Sequence, residues 1–338
     1  TIDALDTIML RGLVSDLLFT QPGDIPVSTG VYYPVGVPIL QWTPNLLDHM
    51  IGGAFAAALG FPAGDNLFWI AIIVTNGLAA HRLGHQLCGN HSGAVLVGVA
   101  YAASENLLRE INLHHAPQAL SPFAPLYLAA LLRTLNGGTR RDRWSAGIWM
   151  GLSGIAYWYT AIFLAFGSLP FLFLHRKKWL DFLRIAGVSL LVASPFLLPY
   201  ALHLDQLELA QLSQLPLSER ASDSVRSLGE NTAFLSEHGN DLALPFRSTP
   251  IDSSNRISLI LLLAVGLSLR RGSQRAFVAM ALIGFTLALG PILRWGDEAV
   301  LLGDTPIWLP FNWLSQIHPI FDRLTWPERW GILIALGL

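Results

Sequence analysis

The sequence predicts an all-α polytopic integral membrane protein, and three observations carry that expectation. Hydrophobic residues make up 52% of the 338 and charged residues only 13%, with a mean hydropathy of +0.48; soluble domains carry about a quarter charged residues. Apolar runs of membrane-span size recur from residue 66 to the end of the chain. Arginine and lysine gather in alternate connections between those runs. The formal net charge of -2 hides a strong segregation of charge by loop, so the overall balance says nothing about nucleic acid or acidic ligands; no nucleic acid is expected as a partner. The single Cys88 excludes an intramolecular disulfide and a cysteine-based metal site.

Residues 1–65 form the first outer loop in this reading, within a single domain spanning 1–338. Thr1 to Thr20 places apolar side chains at 2, 5, 8, 9, 13, 17 and 18, close to a helical stripe with Asp3, Asp6 and Arg11 off it. That pattern suits a helix lying in the membrane surface. Residues 21–44 are rich in proline and glycine and predict an irregular ordered loop. Leu46 to Phe61 is apolar but short and contains Asp48 and His49, which predicts a re-entrant or interfacial helix, with a short true span as the alternative.

Spans are expected at 66–83, 93–109, 118–135, 144–157, 160–175, 183–203, 257–270 and 276–293, with a ninth beginning near 328. Arg82, Arg133, Arg140, Arg141, Arg143, Arg176, Lys177, Lys178, Arg184, Arg270, Arg271 and Arg275 are 12 of the 21 basic residues, and only Asp142 and Asp181 of the 23 acids accompany them. The positive-inside rule makes these loops cytoplasmic and the start of the chain external. Cys88 is then cytoplasmic. The run 144–175 lies between two basic loops, so it must cross twice, with Tyr157-Trp158-Tyr159 as an aromatic belt at the outer interface. Four outer segments result: 1–65, 110–117, 204–256 and 294–327. A chain that begins outside implies an earlier helix or a cleaved signal, and both ends are expected to continue into a longer protein. No fixed-period repeat stands out.

This layout resembles the membrane-embedded GT-C glycosyltransferases, in particular bacterial polytopic members that read Gly-Asp after the first span, then Tyr-Pro-x-Gly, a Tyr-Asn-like start to the next span and a late Arg-x-Pro-x-Arg. The corresponding residues are Ile2-Asp3-Ala4-Leu5, Tyr33-Pro34-Val35-Gly36, Asp65-Asn66-Leu67 and Arg323-Leu324-Thr325-Trp326-Pro327-Glu328-Arg329. Ile2 stands where glycine is usual, the arginine motif is longer, and the Asp-Glu doublet of protein O-mannosyltransferases is absent, which leaves donor and acceptor open. The resemblance implies a GT-C-like helical bundle with its site on the outer face of a bacterial inner membrane. It implies a lipid-linked sugar donor, membrane lipids, and a glycan, lipid or protein acceptor as partners. Asp3 matches the family's acceptor-activating carboxylate, and Arg323 and Arg329 its phosphate-holding cations.

Asp6, three residues after Asp3, shares its helical face, close enough to raise its basicity or to share a divalent Mg or Mn ion. The competing reading is that both acids satisfy the dipole of a surface helix. Glu328, three residues after Thr325 and next to Pro327, reads as a capping-box residue, whereas Arg329 opposes the dipole of its helix and calls for an anion. Glu105 and Arg109 are spaced for a helical pair at the outer end of a span and, with Asp48, are candidate substrate-binding residues. His114 and His115 read as loop residues. No P-loop, dinucleotide fingerprint, His-Glu-x-x-His or Gly-x-Ser-x-Gly is present, so a nucleotide-sugar donor is unsupported. The alternatives are a transporter or lipid flippase, and a non-catalytic assembly subunit.

Overall fold

Glycine caps, prolines and small polar N-caps cut the apolar runs into helices, and the computed structural model describes them over residues 47–202, 272–289, 293–295, 298–303, 305–317 and 327–337. The expected surface helix 1–20, the loop 21–44, the third outer loop 204–256 and the span 257–270 lie outside the described residues. What is described is mostly helical, and it forms two compact units. The first holds the described residues through Ile162 and those from His175 to Leu202; the second holds Phe163–Leu174 and the described residues from Gly272 onward.

In the first unit the helices are α1 (Leu47–Leu59), α2 (Ala63–Cys88), α3 (His91–Ala102), α4 (Glu105–Asn112), α5 (Ala116–Ala119), α6 (Phe123–Leu135), α7 (Arg140–Ala156) and α9 (Trp179–Leu202). A helix α8 (Trp158–Leu174) is shared out between the units at residue 162. Among the described residues two segments are long and apolar enough to cross a membrane: α2, of 26 residues, and Arg176–Phe196, of 21. At about 1.5 Å per residue α2 exceeds the ~30 Å hydrocarbon layer. It stops at Gly89, which takes the left-handed conformation (φ 69°) and donates its N–H to the His85 carbonyl.

Two expected spans are broken. The segment 93–109 is α3 and α4, because Ser104 caps a new helix by accepting from the Leu107 N–H at 3.4 Å. Glu105 and Arg109 therefore lie on a short amphipathic helix and not at the end of a span. The segment 118–135 breaks at 120–122, ahead of Pro122, and its helix starts at Phe123. The expected break inside 144–175 falls at Tyr157, whose backbone is extended (φ -157°, ψ 106°). Tyr157 and Tyr159 are buried there with ring centroids 4.8 Å apart, and Trp158 is half-buried.

Close backbone approach holds the helices together. A Cβ on Gly147 would lie 2.5 Å from Val188 Cβ, and one on Gly151 would lie 2.8 Å from Val192 Cβ, so an i, i+4 glycine pair on α7 receives an i, i+4 valine pair on α9. This is the small-xxx-small packing of membrane helices. Gly84 meets Ala94 and Val97 in the same way, and Gly98 meets the Gly77 carbonyl, which joins α2 to α3. The outward surfaces are strongly apolar: Leu78 on α2, Leu96 on α3 and Leu190 and Leu191 on α9 are each more than 60% exposed.

The basic loops converge at one end of this unit. Arg133 Nε donates to Asp142 Oδ1 at 2.8 Å and its Nη1 reaches Gln86 at 3.4 Å. Lys178 Nζ donates to the Thr134 and Leu135 carbonyls at 3.2 and 2.8 Å, and Arg143 lies 3.6 Å from Asp181. Asp142 also accepts from the Thr139 N–H and hydroxyl, closing a capping box on α7. The Arg133 guanidinium holds the Asp142 carboxyl below the usual carboxylate range, so its contribution to folding is present above that range and is lost as pH falls through the depressed value.

The second unit contains α10 (Gly272–Ala288), α11 (Pro310–Ile317), a 3-10 turn over Pro327–Trp330 and α12 (Gly331–Gly337). Trp330 is fully buried, its ring 4.3 Å from Phe163 and edge-on to Phe166. An all-α fold did not anticipate two small antiparallel hairpins here, β1 (Arg294–Trp295) with β2 (Glu298–Ala299) and β3 (Leu301–Leu302) with β4 (Thr305–Pro306). They carry a seven-residue repeat, Leu293-Arg-Trp-Gly-Asp-Glu-Ala and Val300-Leu-Leu-Gly-Asp-Thr-Pro. Leu293 donates to the Ile307 carbonyl, Ile307 to Val300 and Val300 to Leu293, at 2.9 to 3.0 Å, a closed ring of three hydrogen bonds.

The α7–α9 contact gives a stability prediction. Gly147→Ala and Gly151→Ala are expected to destabilise the protein by about 1–3 kcal/mol each through overpacking. Gly187→Ala on α9 has no atom within 4 Å of the new methyl and should be neutral or slightly stabilising. Thermal unfolding in detergent checks both, and equal midpoints for all three variants would rule out the close approach.

Candidate functional site

Opposite the arginine-rich end, α1, α2, α4, α5 and α7 bring Phe68, Ile72, Leu107, Ala116, Ala119, Leu120 and Ala156 into one apolar cluster, flanked by Leu47, Ile51 and Ile111. Polar side chains border it. Asp48, the residue after Leu47, is completely buried, and His49 Nδ1 lies 3.5 Å from its Oδ2. Of the expected 1–65 loop the described residues are 47–65, and this buried pair lies in the first turn of α1.

The second group depends on how α4 ends. Leu113 caps the helix, His114 takes a left-handed backbone (φ 60°), the His114 N–H donates to the Ile111 carbonyl at 3.0 Å and the His115 N–H to the Glu110 carbonyl at 2.8 Å. These two bonds are a Schellman motif with histidine where glycine is usual. The Trp69 ring stands edge-on to His114 at 5.7 Å. Because the motif folds the chain back, His115 Nδ1 comes within 2.7 Å of Glu110 Oε2, a charge-assisted geometry on a carboxylate that is only 3% exposed. Arg109 Nη1 is 3.9 Å from Glu110 Oε1. On α5, Gln118 Oε1 is buried and has no hydrogen-bond partner among the described residues.

Behind these groups a buried chain fixes the break between α5 and α6. Asn76, at the middle of α2, donates to the Ala119 carbonyl at 2.8 Å, and its Oδ1 accepts from the Ser121 hydroxyl at 3.0 Å. Tyr101 OH lies 3.1 Å from Ser121 Oγ. The expected outer segment 110–117 is therefore seated on α2 and held in place from below.

Of the residues that sequence nominated, Asp48 and Arg109 belong to this end of the first unit, and the backbone of Glu105 opens α4. Arg329 is half-buried in the 3-10 turn of the second unit. Asp3, Asp6 and Arg323 lie outside the described residues. His114 and His115 are loop residues, as expected, but His115 is also a partner of Glu110. Sequence reasoning missed Glu110, Gln118 and Asn76. The available signal was Glu110 five residues before His115, which a Schellman end converts into a contact.

Chemically, this end of the unit offers two carboxylate–imidazole pairs, Asp48 with His49 and Glu110 with His115, a guanidinium beside the second, and a buried amide acceptor on Gln118. A carboxylate–imidazole pair can move a proton. Among the described residues no three His, Cys, Asp or Glu side chains are grouped to hold a metal ion. Comparison of the chain with family models, with curated proteins and with solved structures gives no match.

The Glu110–His115 contact can be tested directly. His115→Ala is expected to cost about 1–3 kcal/mol by removing a partner from a buried carboxylate, and His115→Gln, which retains a donor, should recover part. Thermal unfolding measures both; an unaffected His115→Ala protein would show that the contact contributes nothing.

Proposed function

We propose that this chain is a polytopic membrane glycosyltransferase of GT-C type, moving a sugar from a polyprenyl-phosphate carrier to an acceptor at the outer face of a bacterial inner membrane. One observation carries the reading: the buried proton-transfer groups gather at one end of the first unit, while the basic loops meet at the other. By the positive-inside rule that polarity supports an external position for the carboxylate-bearing end, the side on which the sequence expects the loop containing Asp3. Exposed leucines on α2, α3 and α9 support lipid-facing surfaces.

In this mechanism Asp3 takes the proton from the acceptor hydroxyl as the anomeric carbon is attacked, and the polyprenyl phosphate leaves. Asp6 tunes Asp3 or shares a Mg or Mn ion with it. Arg323 and Arg329 are assigned to the departing phosphate, and Asp48, Glu105 and Arg109 are the candidate substrate-binding residues. A transporter or flippase is the second reading, favoured by the broken apolar segments at 103–104 and 120–122 beside buried Asp48, Glu110 and Asn76.

Asp3→Asn separates the two. On the transferase reading it should reduce transfer by about 10²-fold or more, the usual contribution of a general base, and leave donor binding and membrane insertion intact. Arg329→Ala should weaken donor binding, with partial recovery in Arg329→Lys because the guanidinium fork is lost. Near-normal transfer by Asp3→Asn would remove it from catalysis; substrate uptake or lipid scrambling without any transfer would establish the second reading.

Orientation has its own test. Cys88 is exposed and free, at the arginine-rich end. A membrane-impermeant maleimide should label it only after permeabilisation of the cells, and labelling of intact cells would invert the topology.

A further inference from the structure

At the arginine-rich end, the end of α2, the end of α6 and the start of α7 enclose an open groove of about 530 Å³ lined by Arg82, His85, Gln86, Arg133, Gly138 and Asp142. We propose that this groove seats the phosphate headgroup of an anionic membrane phospholipid, separately from any outer-face site. The proposal rests on the membrane reading of the chain and not on transferase activity.

The charges in the groove are arranged for an incoming anion. Its single carboxylate, Asp142, is already engaged on both oxygens, by Arg133 Nε on one side and by Thr139 on the other. Arg133 is thereby fixed in orientation, with Gln86 steadying Nη1. Arg82 is exposed and makes no ion pair with any acid among the described residues. The α6 carbonyls that would otherwise attract these cations are taken by Lys178. Asp142 offsets the charge of Arg133, so the groove keeps one uncompensated guanidinium, Arg82, beside a second that is fixed in orientation, and no further acid lines it; guanidinium forks match phosphate oxygens.

The surroundings favour a lipid over free phosphate. The groove opens at the end of a helix whose face leading to Arg82 is apolar, with Val74 50% and Leu78 64% exposed two turns and one turn before it, so acyl chains can lie on α2 while the headgroup reaches Arg82. Trp144 is exposed one turn into α7 with the Arg140 guanidinium 6.0 Å over its ring, an interfacial anchor at the same end. Basic pockets between helices on the cytoplasmic side are suited to anionic headgroups.

The test uses the full chain purified in a neutral detergent, with phosphatidylglycerol, phosphatidylcholine and inorganic phosphate as probes and retained ligand counted by native mass spectrometry. Phosphatidylglycerol should be retained in preference to phosphatidylcholine, and Arg82→Gln should weaken its retention by about tenfold or more, the scale of a charge-assisted hydrogen bond. Arg176→Gln removes an exposed cation outside the groove and should change retention less than about twofold, as expected of a surface charge. Equal losses in the two variants would reduce the effect to diffuse surface attraction and overturn the site. Equal retention of phosphatidylcholine, or binding of inorganic phosphate with no retention of phosphatidylglycerol, would overturn the lipid assignment.

Discussion

The first unit depends on Asn76. Its amide sits at the middle of the longest apolar helix and supplies hydrogen bonds to a place where the chain has no helix to supply them, donating to the Ala119 carbonyl and accepting from Ser121. In an apolar layer an unsatisfied backbone carbonyl costs several kcal/mol, so a break at that depth persists only where a neighbouring helix provides the partner. With Asn76 in place, the chain can turn at 120–122, and Ala116, Ala119 and Leu120 can press on Phe68 and Ile72. The polar residues carried by α4 and α5 are positioned as a consequence.

The distribution of side chains follows from the same solvent logic. Where lipid replaces water, apolar exposure is free and close packing of small residues replaces the hydrophobic effect as the source of helix association. Gly147 and Gly151 against Val188 and Val192, and Gly84 and Gly98 between α2 and α3, show that form of packing. Buried polar groups such as Asp48, Asn76 and Glu110 coexist with leucines exposed beyond 60% on α2, α3 and α9. On the membrane reading of the chain, those leucines are the lipid-facing positions.

How much of this is legible in the sequence depends on which signal each element uses. Long uninterrupted apolar runs gave α2 and α9 nearly to their ends, and the Tyr157 break followed from the requirement that 144–175 begin and end at basic loops. The breaks at Ser104 and Pro122 were not legible because average hydropathy over a span-length window passes through them; one serine cap and one proline change the backbone without changing the mean. The hairpins were missed because two-residue strands show no alternation. In the candidate site, Asp48 was visible as an acid in an apolar run. Glu110 was not, because its importance comes from a Schellman turn that points His115 back at it, and histidine in the left-handed position is a poor sequence signature for that turn.

The basic end shows why charge patterning was informative even where helix boundaries were not. Arg133, Asp142 and Gln86 come from separate connections, as do Lys178 and the α6 terminus, yet each contact needs its partner at the same end of the unit. Charges counted loop by loop therefore agree with charges that touch. That agreement constrains the threading of α2, α6, α7 and α9: moving any one of them end for end would separate an ion pair or uncap a helix terminus, and would bring a glycine face against the wrong ridge. Electrostatics at the helix ends and glycine–valine packing along the helices thus select the same arrangement, one by polarity and the other by shape.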